Sequence, residues 1–84
     1  MVVAPDFGGA VRARRFAKLL GENIPVGIIE KERQHGAGTI MHNFVGEDPR
    51  GKFIILFDDM IDTAGSIVTS IRALRNRGVG KIQV

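Results

Sequence analysis

The apolar run Ile54-Ile55-Leu56-Phe57 stops at Asp58 and Asp59, and after Met60-Ile61 the chain turns through Asp62-Thr63-Ala64-Gly65-Ser66 into a stretch with helical spacing. A buried strand needs only apolar side chains, so three carboxylates at its C-terminal end serve something other than the core. An N-cap role for Asp59 or Asp62, with Gly65 as a turn residue, explains one carboxylate and not three. The turn itself offers two hydroxyls, a glycine that permits close backbone approach, and the start of a helix, where free N–H groups favour an anion. A strand, an anion-holding turn and a helix in that order restrict the chain to an α/β architecture with a ligand outside the strand ends. The ligand expected there is a sugar phosphate.

The remaining pattern agrees. Val2 to Pro5 reads as a short buried strand, and Gly8-Gly9 turns into a helix with Ala13, Phe16, Ala17 and Leu20 on one face, ended by Gly21. Val26 to Ile29 reads as a second short strand, closed by Glu30-Lys31-Glu32-Arg33. Residues Gln34 to Thr39 carry two glycines and no period, which predicts a mobile loop, and Ile40 to Val45 alternates enough for a short antiparallel strand. After the turn Glu47 to Gly51, Phe53 to Phe57 is a strand. A helix from about Gly65 to Arg77 places Ile67, Ile71 and Leu74 on one face, Gly78 caps it, and Ile82 to Val84 opens another strand. The expected fold is therefore α/β, a mainly parallel sheet with helix crossovers.

At 84 residues the chain is one domain at most, and a chain of this size buries only about 60 to 65% of its unfolded surface. Apolar runs lie almost at both ends, so the sequence reads as an incomplete piece of a larger α/β domain. It has no cysteine, which excludes disulfides and thiolate metal sites. No run approaches the roughly 18 apolar residues of a membrane span, and no signal-peptide pattern is present, so the expectation is a soluble, cytoplasmic protein without a membrane partner. The formal net charge is +3, with Arg12, Arg14, Arg15 and Lys18 on one helix and Arg72, Arg75 and Arg77 near the end of the other. With no Trp or Tyr to stack bases, these read as solvated basic faces, some complementing a helix dipole, and no nucleic-acid partner is expected.

Two further constellations fall at strand ends. In Pro5-Asp6-Phe7-Gly8-Gly9 a carboxylate suited to Mg²⁺ precedes glycines that let backbone N–H groups approach a pyrophosphate; an ordinary Asp-Gly turn is the plain alternative. Lys31 and Arg33 occupy alternate positions of an extended segment and so share a side, where they could converge on one anion, although charged loops are common. His35 and His42 lie outside any motif and receive no role.

Together these residues resemble a known family. Val3-Ala4-Pro5-Asp6-Phe7-Gly8-Gly9 with Arg12-Ala13, then Glu30 to Arg33, then Phe57 to Ser66 are similar, in order and spacing, to the ribose-phosphate pyrophosphokinase (PRPP synthetase) family, specifically its second, type I phosphoribosyltransferase-like domain. The resemblance implies one partial Rossmann-like domain over residues 1–84, with a pyrophosphate loop at 5–9, a flexible catalytic loop at 31–42 and a ribose-5-phosphate loop at 58–66. It implies that Asp6 binds Mg²⁺ and, with Gly8 and Gly9, forms the pyrophosphate loop. Lys31 and Arg33 are then the catalytic pair, and Asp58, Asp59, Asp62, Thr63, Ala64, Gly65 and Ser66 hold ribose 5-phosphate. The implied reaction transfers the diphosphoryl group of ATP to the 1-hydroxyl of ribose 5-phosphate, giving PRPP and AMP for nucleotide synthesis. It occurs in a homo-oligomeric parent enzyme, and the isolated piece is expected to be inactive. Phe7 and the residues Gln34 to Ile40 depart from the family pattern. The alternatives are a phosphoribosyltransferase that consumes PRPP, for which no nucleobase-binding hood segment is visible, and a non-catalytic phosphate-binding piece.

Overall fold

The computed structural model describes residues 1–33, 40–58 and 64–84, those of 31–33, 40–42 and 64–66 by their backbone. Five strands, β1 (Val2–Ala4), β2 (Val26–Arg33), β3 (Ile40–Val45), β4 (Ile54–Leu56) and β5 (Ile82–Gln83), form one sheet in the order β3-β2-β1-β4-β5. The pairs β1–β2, β1–β4 and β4–β5 are parallel, and only β2–β3 is antiparallel. Helix α1 (Ala10–Leu20) connects β1 to β2, and α2 (Ala64–Arg75) precedes β5. The first crossover moves the chain to one side of β1 and the second to the other side of β4. The connections therefore diverge between β1 and β4, the place where open parallel sheets leave a crevice at their carboxyl ends.

Alternation along β1 assigns its residues to two cores. Val2 and Ala4 pack with Ala13 and Ala17 of α1, whereas Val3 packs with Ile29, Ile54, Leu56 and, from α2, Ile67 and Leu74. The two helices thus cover opposite faces of the sheet. Leu20, expected on the buried face of α1, is instead 49% exposed. The small stripe Ala13/Ala17 makes the close contact, and Ile24, from the connection to β2, packs where a fourth helical residue was expected. Helix α1 ends as Gly21 N–H donates to the Ala17 carbonyl at 3.2 Å. Gly78 closes α2, in the left-handed region at φ 75° that glycine occupies without steric cost.

The second strand is longer than the sequence suggested. Its charged residues Glu30 to Arg33 continue the ladder, paired with β3 from Ile28↔Val45 to Arg33↔Ile40, while β1 supports β2 only as far as Ala4↔Ile28. Strand β4 and helix α2 start and stop within two residues of expectation, and β5 is the two-residue piece Ile82–Gln83.

Ser70 on α2 is fully buried, and among the described residues its Oγ has no hydrogen-bond partner. A buried hydroxyl without a partner costs about 1 to 3 kcal/mol, and alanine is also the better helix former. Ser70→Ala is therefore expected to stabilise the chain by about 1 kcal/mol, raising Tm by roughly 4 to 8 °C for a domain of this size. A lowered Tm in a thermal melt would mean that the hydroxyl makes a bond in solution.

Candidate functional site

The carboxyl ends of β1 and β4 set the site. Register pairs Val3 with Leu56, and Phe57 N–H donates to the Val3 carbonyl at 2.9 Å, so Asp6 and Asp58 leave neighbouring strands just past the last pairs. Asp6 is extended (φ −159°, ψ 173°) and caps the 3₁₀ turn Phe7–Gly9. Its Oδ1 accepts from Gly9 N–H at 3.1 Å. A Cβ at position 8 would come within 3.2 Å of that same oxygen, so a side chain there would press on the carboxylate. The glycine pair thus lets the loop fold back on Asp6, and buried Pro5 fixes its start.

Asp58 is held from behind. Phe57 stacks on Phe16 of α1, with ring centroids 4.8 Å apart and planes inclined by 15°, an offset aromatic contact that ties the end of β4 to the helix leaving β1. Both rings were legible only as core residues; their pairing across the site carried no local signal. Asp58 itself is half-buried.

Positions 31 and 33 lie on the part of β2 that runs past the end of β1, and His42, which had no expected role, is the register partner of Lys31. Ala64, Gly65 and Ser66, the last residues of the expected phosphate turn, are the first three residues of α2. Asp59, Asp62 and Thr63 lie outside the described residues, as do His35 and most of the loop expected between Lys31 and His42. The structure thus brings Asp6, Gly8, Gly9, Asp58, the backbone of Lys31 and Arg33, and the start of α2 to strand ends and crossovers of one sheet.

A groove of about 710 Å³ lined by Arg14, Lys18, Glu22 and Ile24 lies at the opposite end, between the last turns of α1 and the start of β2. It contains none of the expected site residues. Among the described residues, no group of three or more His, Cys, Asp or Glu could hold a metal ion. The Asp6 carboxylate is nevertheless compatible with Mg²⁺, a hard cation that keeps several waters and binds through one or two carboxylates plus substrate phosphates. No helix among the described residues is long and apolar enough to cross a membrane.

A mainly parallel sheet with diverging crossovers, a glycine-closed aspartate loop after β1, and a carboxylate just past β4 with a helix following it in the chain define a phosphoribosyltransferase-type domain. The chain belongs to the phosphoribosyl transferase domain family, whose model matches residues 1–84. Among its relatives, the ribose-phosphate pyrophosphokinase of Synechococcus elongatus is 47% identical over 83 residues, covering 98% of this chain and 24% of the relative. Ribose-phosphate pyrophosphokinase 2, chloroplastic, of Oryza sativa subsp. japonica is 48% identical over 79 residues, 93% of this chain and 19% of the relative. The crystal structure of phosphoribosylpyrophosphate synthetase from Mycobacterium smegmatis superposes with a TM-score of 0.80 at 36% identity, over 96% of this chain and 24% of the other. A purine phosphoribosyltransferase from Pyrococcus horikoshii shares the fold, with a TM-score of 0.72 at 22% identity over 96% of this chain and 55% of that one. This chain spans about a quarter of the length of the pyrophosphokinases it matches.

Proposed function

We propose that this chain forms the sugar-phosphate and pyrophosphate side of a ribose-phosphate pyrophosphokinase. In the reaction the 1-hydroxyl oxygen of ribose 5-phosphate attacks the β-phosphorus of ATP. The bond from that phosphorus to the α,β-bridging oxygen breaks, AMP leaves, the hydroxyl proton passes to solvent, and PRPP results. The observation that carries this reading is the placing of Asp6 and Asp58 on neighbouring parallel strands where the connections diverge, with positions 31 and 33 carried past them on β2. The relatives at 47% and 48% identity support the choice of reaction within the family.

Each part has a role in the proposal. Residues 5–9 form the pyrophosphate loop, in which Gly8 and Gly9 admit the diphosphate to the backbone. Residues 58–66 form the ribose-5-phosphate loop, where Asp58 and Asp59 meet the ribose hydroxyls and Asp62, Thr63, Ala64, Gly65 and Ser66 surround the 5-phosphate. Residues 31–42, expected as a loop, leave along β2 and return along β3; in the proposal this is the catalytic segment, in which Lys31 and Arg33 neutralise charge on the transferring group. Asp6 would hold Mg²⁺, which when bound offsets the charge of the phosphates. Chemistry of this kind depends on positioning and on electrostatic neutralisation, with little covalent work for side chains. A cytoplasmic, homo-oligomeric parent enzyme using ATP, with no nucleic-acid or membrane partner, completes the reading.

Binding of the sugar phosphate tests it. Hydrogen bonds to a charged group contribute about 1.5 to 3 kcal/mol each, and a branched side chain at the first turn of α2 blocks the approach of phosphate to several amides together. Gly65→Val in the full protein is expected to abolish measurable ribose 5-phosphate binding by calorimetry, with the circular dichroism spectrum unchanged. Undiminished affinity in the folded variant would overturn the assignment of the loop.

A further inference from the structure

Pairing of β1 with β4 ends at Val3↔Leu56, short of both Asp6 and Asp58, so the spacing of the two loops that follow depends on more than the ladder. After β1 the loop passes directly into a helix. Gly9, whose N–H donates to Asp6 Oδ1 at 3.1 Å, is also the N-cap of α1. Helix α1 lies over β1 and β2, but Phe16 reaches across to β4, where its ring stacks on that of Phe57 at 4.8 Å between centroids. Phe57 immediately precedes Asp58, and its own N–H is held by the Val3 carbonyl at 2.9 Å. A continuous path of contacts therefore runs from Asp6 through Gly9, α1, Phe16 and Phe57 to Asp58. The buried core on this face of the sheet consists of the small residues Val2, Ala4, Ala13 and Ala17, which let the helix approach closely but give it few projections to lock against. The half-buried ring pair supplies a contact with a definite orientation, because stacked rings favour an offset geometry.

We infer that Phe16 is a positioning residue for diphosphoryl transfer: acting through Phe57, it holds the start of the sugar-phosphate loop in register with the pyrophosphate loop. The inference rests on the proposed assignment of those two loops to the two substrates. Neither ring has to touch a substrate to act in this way. Each substrate is held by its own loop, and the rate at which a ribose hydroxyl meets a phosphorus depends on how the loops stand to one another. A misplacement of about 1 Å can cost about 10²-fold in rate. Loss of the stack is therefore felt in turnover, where both substrates meet, and little in the affinity for either one. An aliphatic side chain at position 16 keeps most of the apolar contact but has no flat face to set the angle between α1 and the end of β4.

The test is steady-state kinetics of the full enzyme carrying Phe16→Leu, Phe57→Leu or both, measured well below the Tm of each variant. Phe16→Leu is expected to lower kcat by roughly 10- to 100-fold, with the KM for ATP and for ribose 5-phosphate little changed. Phe57→Leu has the same effect, and the double variant loses no more than either single one, because residues in contact couple. Phe16→Tyr, which keeps the ring, retains turnover. Where Phe16→Leu loses its circular dichroism spectrum, Phe16→Met replaces it, since methionine fills irregular gaps without a planar face, and the same loss of kcat is expected. A lowered Tm with normal kcat in the folded variants would mean that the rings only pack the core, and overturn the inference. So would losses that multiply in the double variant, or a raised KM for one substrate at constant kcat. A wild-type enzyme that makes no PRPP from ATP and ribose 5-phosphate would remove the proposed function and this inference together, whereas an active wild type with an equally active Phe16→Leu rejects the positioning alone.

Discussion

Alanine at Lys31 or at Arg33 is expected to lower kcat of the full enzyme by roughly a thousandfold to a hundred-thousandfold, the range measured for cations delivered to a transferring phosphoryl group. Both positions belong to β2, beyond the last residue that β1 supports. An attraction that is strongest when charge develops in the transition state acts on turnover more than on substrate affinity. The KM for ribose 5-phosphate should therefore change little, because the proposed function assigns the sugar phosphate to the separate 58–66 loop. Steady-state kinetics with both substrates varied checks this. A near-normal kcat in either variant removes that residue from the mechanism, and a large rise in KM at constant kcat reassigns it to binding.

The second large effect concerns stability. Gly27 is the second residue of β2, paired with Val3, and the Phe44 ring from β3 lies against it. A Cβ at Gly27 would come within 3.0 Å of both Cε1 and Cε2 of that ring. Retreat is restricted, because Phe44 packs against the core formed by Val3, Ile29, Ile54, Leu56, Ile67 and Leu74. The Arg77 guanidinium also lies over the ring, 5.9 Å from its centroid. Gly27→Ala is expected to cost about 2 to 3 kcal/mol, out of a total of about 4 to 12 kcal/mol for a domain of this length. In a Phe44→Leu background the same substitution should cost less than about 1 kcal/mol, since residues in contact couple. Urea denaturation of the four proteins of that cycle measures the difference, and additive losses would show that the ring does not depend on the glycine.

Gly27 also shows where sequence reading stops. A glycine within Val26-Gly27-Ile28-Ile29 carries no local sign of the ring lying on it, because Phe44 is brought there by antiparallel pairing across β2 and β3. The same pairing explains the missed length of β2. Glu30-Lys31-Glu32-Arg33 reads as the end of a buried strand, since buried strands avoid charge. With β3 supplying hydrogen bonds and no helix required above them, charged residues can continue a ladder. By contrast, the placing of the candidate residues was legible: an apolar run that halts at carboxylates conflicts with core packing, and the structure sets Asp6 and Asp58 at the ends of the neighbouring strands β1 and β4. Leu20 was misplaced for a geometric reason, because helical periodicity does not reveal where the sheet beneath a helix ends.

The overhang of β2 makes sheet register a determinant of charge sign. Strand alternation places positions 31 and 33, Lys and Arg in the sequence, at one register parity of the β2–β3 ribbon and positions 30 and 32, both Glu, at the other. A shift of one residue along the ladder would exchange a doubly cationic side for a doubly anionic one without altering composition, strand length or backbone hydrogen-bond count. The pairs nearest the body of the sheet, Ile28↔Val45 and Ile29↔Phe44, oppose that shift, because slipping would drive Ile29 and Phe44 out of the core. Hydrophobic packing several residues away thus acts as the polarity lock of the ribbon. An insertion of one residue between Ile29 and Lys31 would be a more damaging lesion than the neutralisation of either cation.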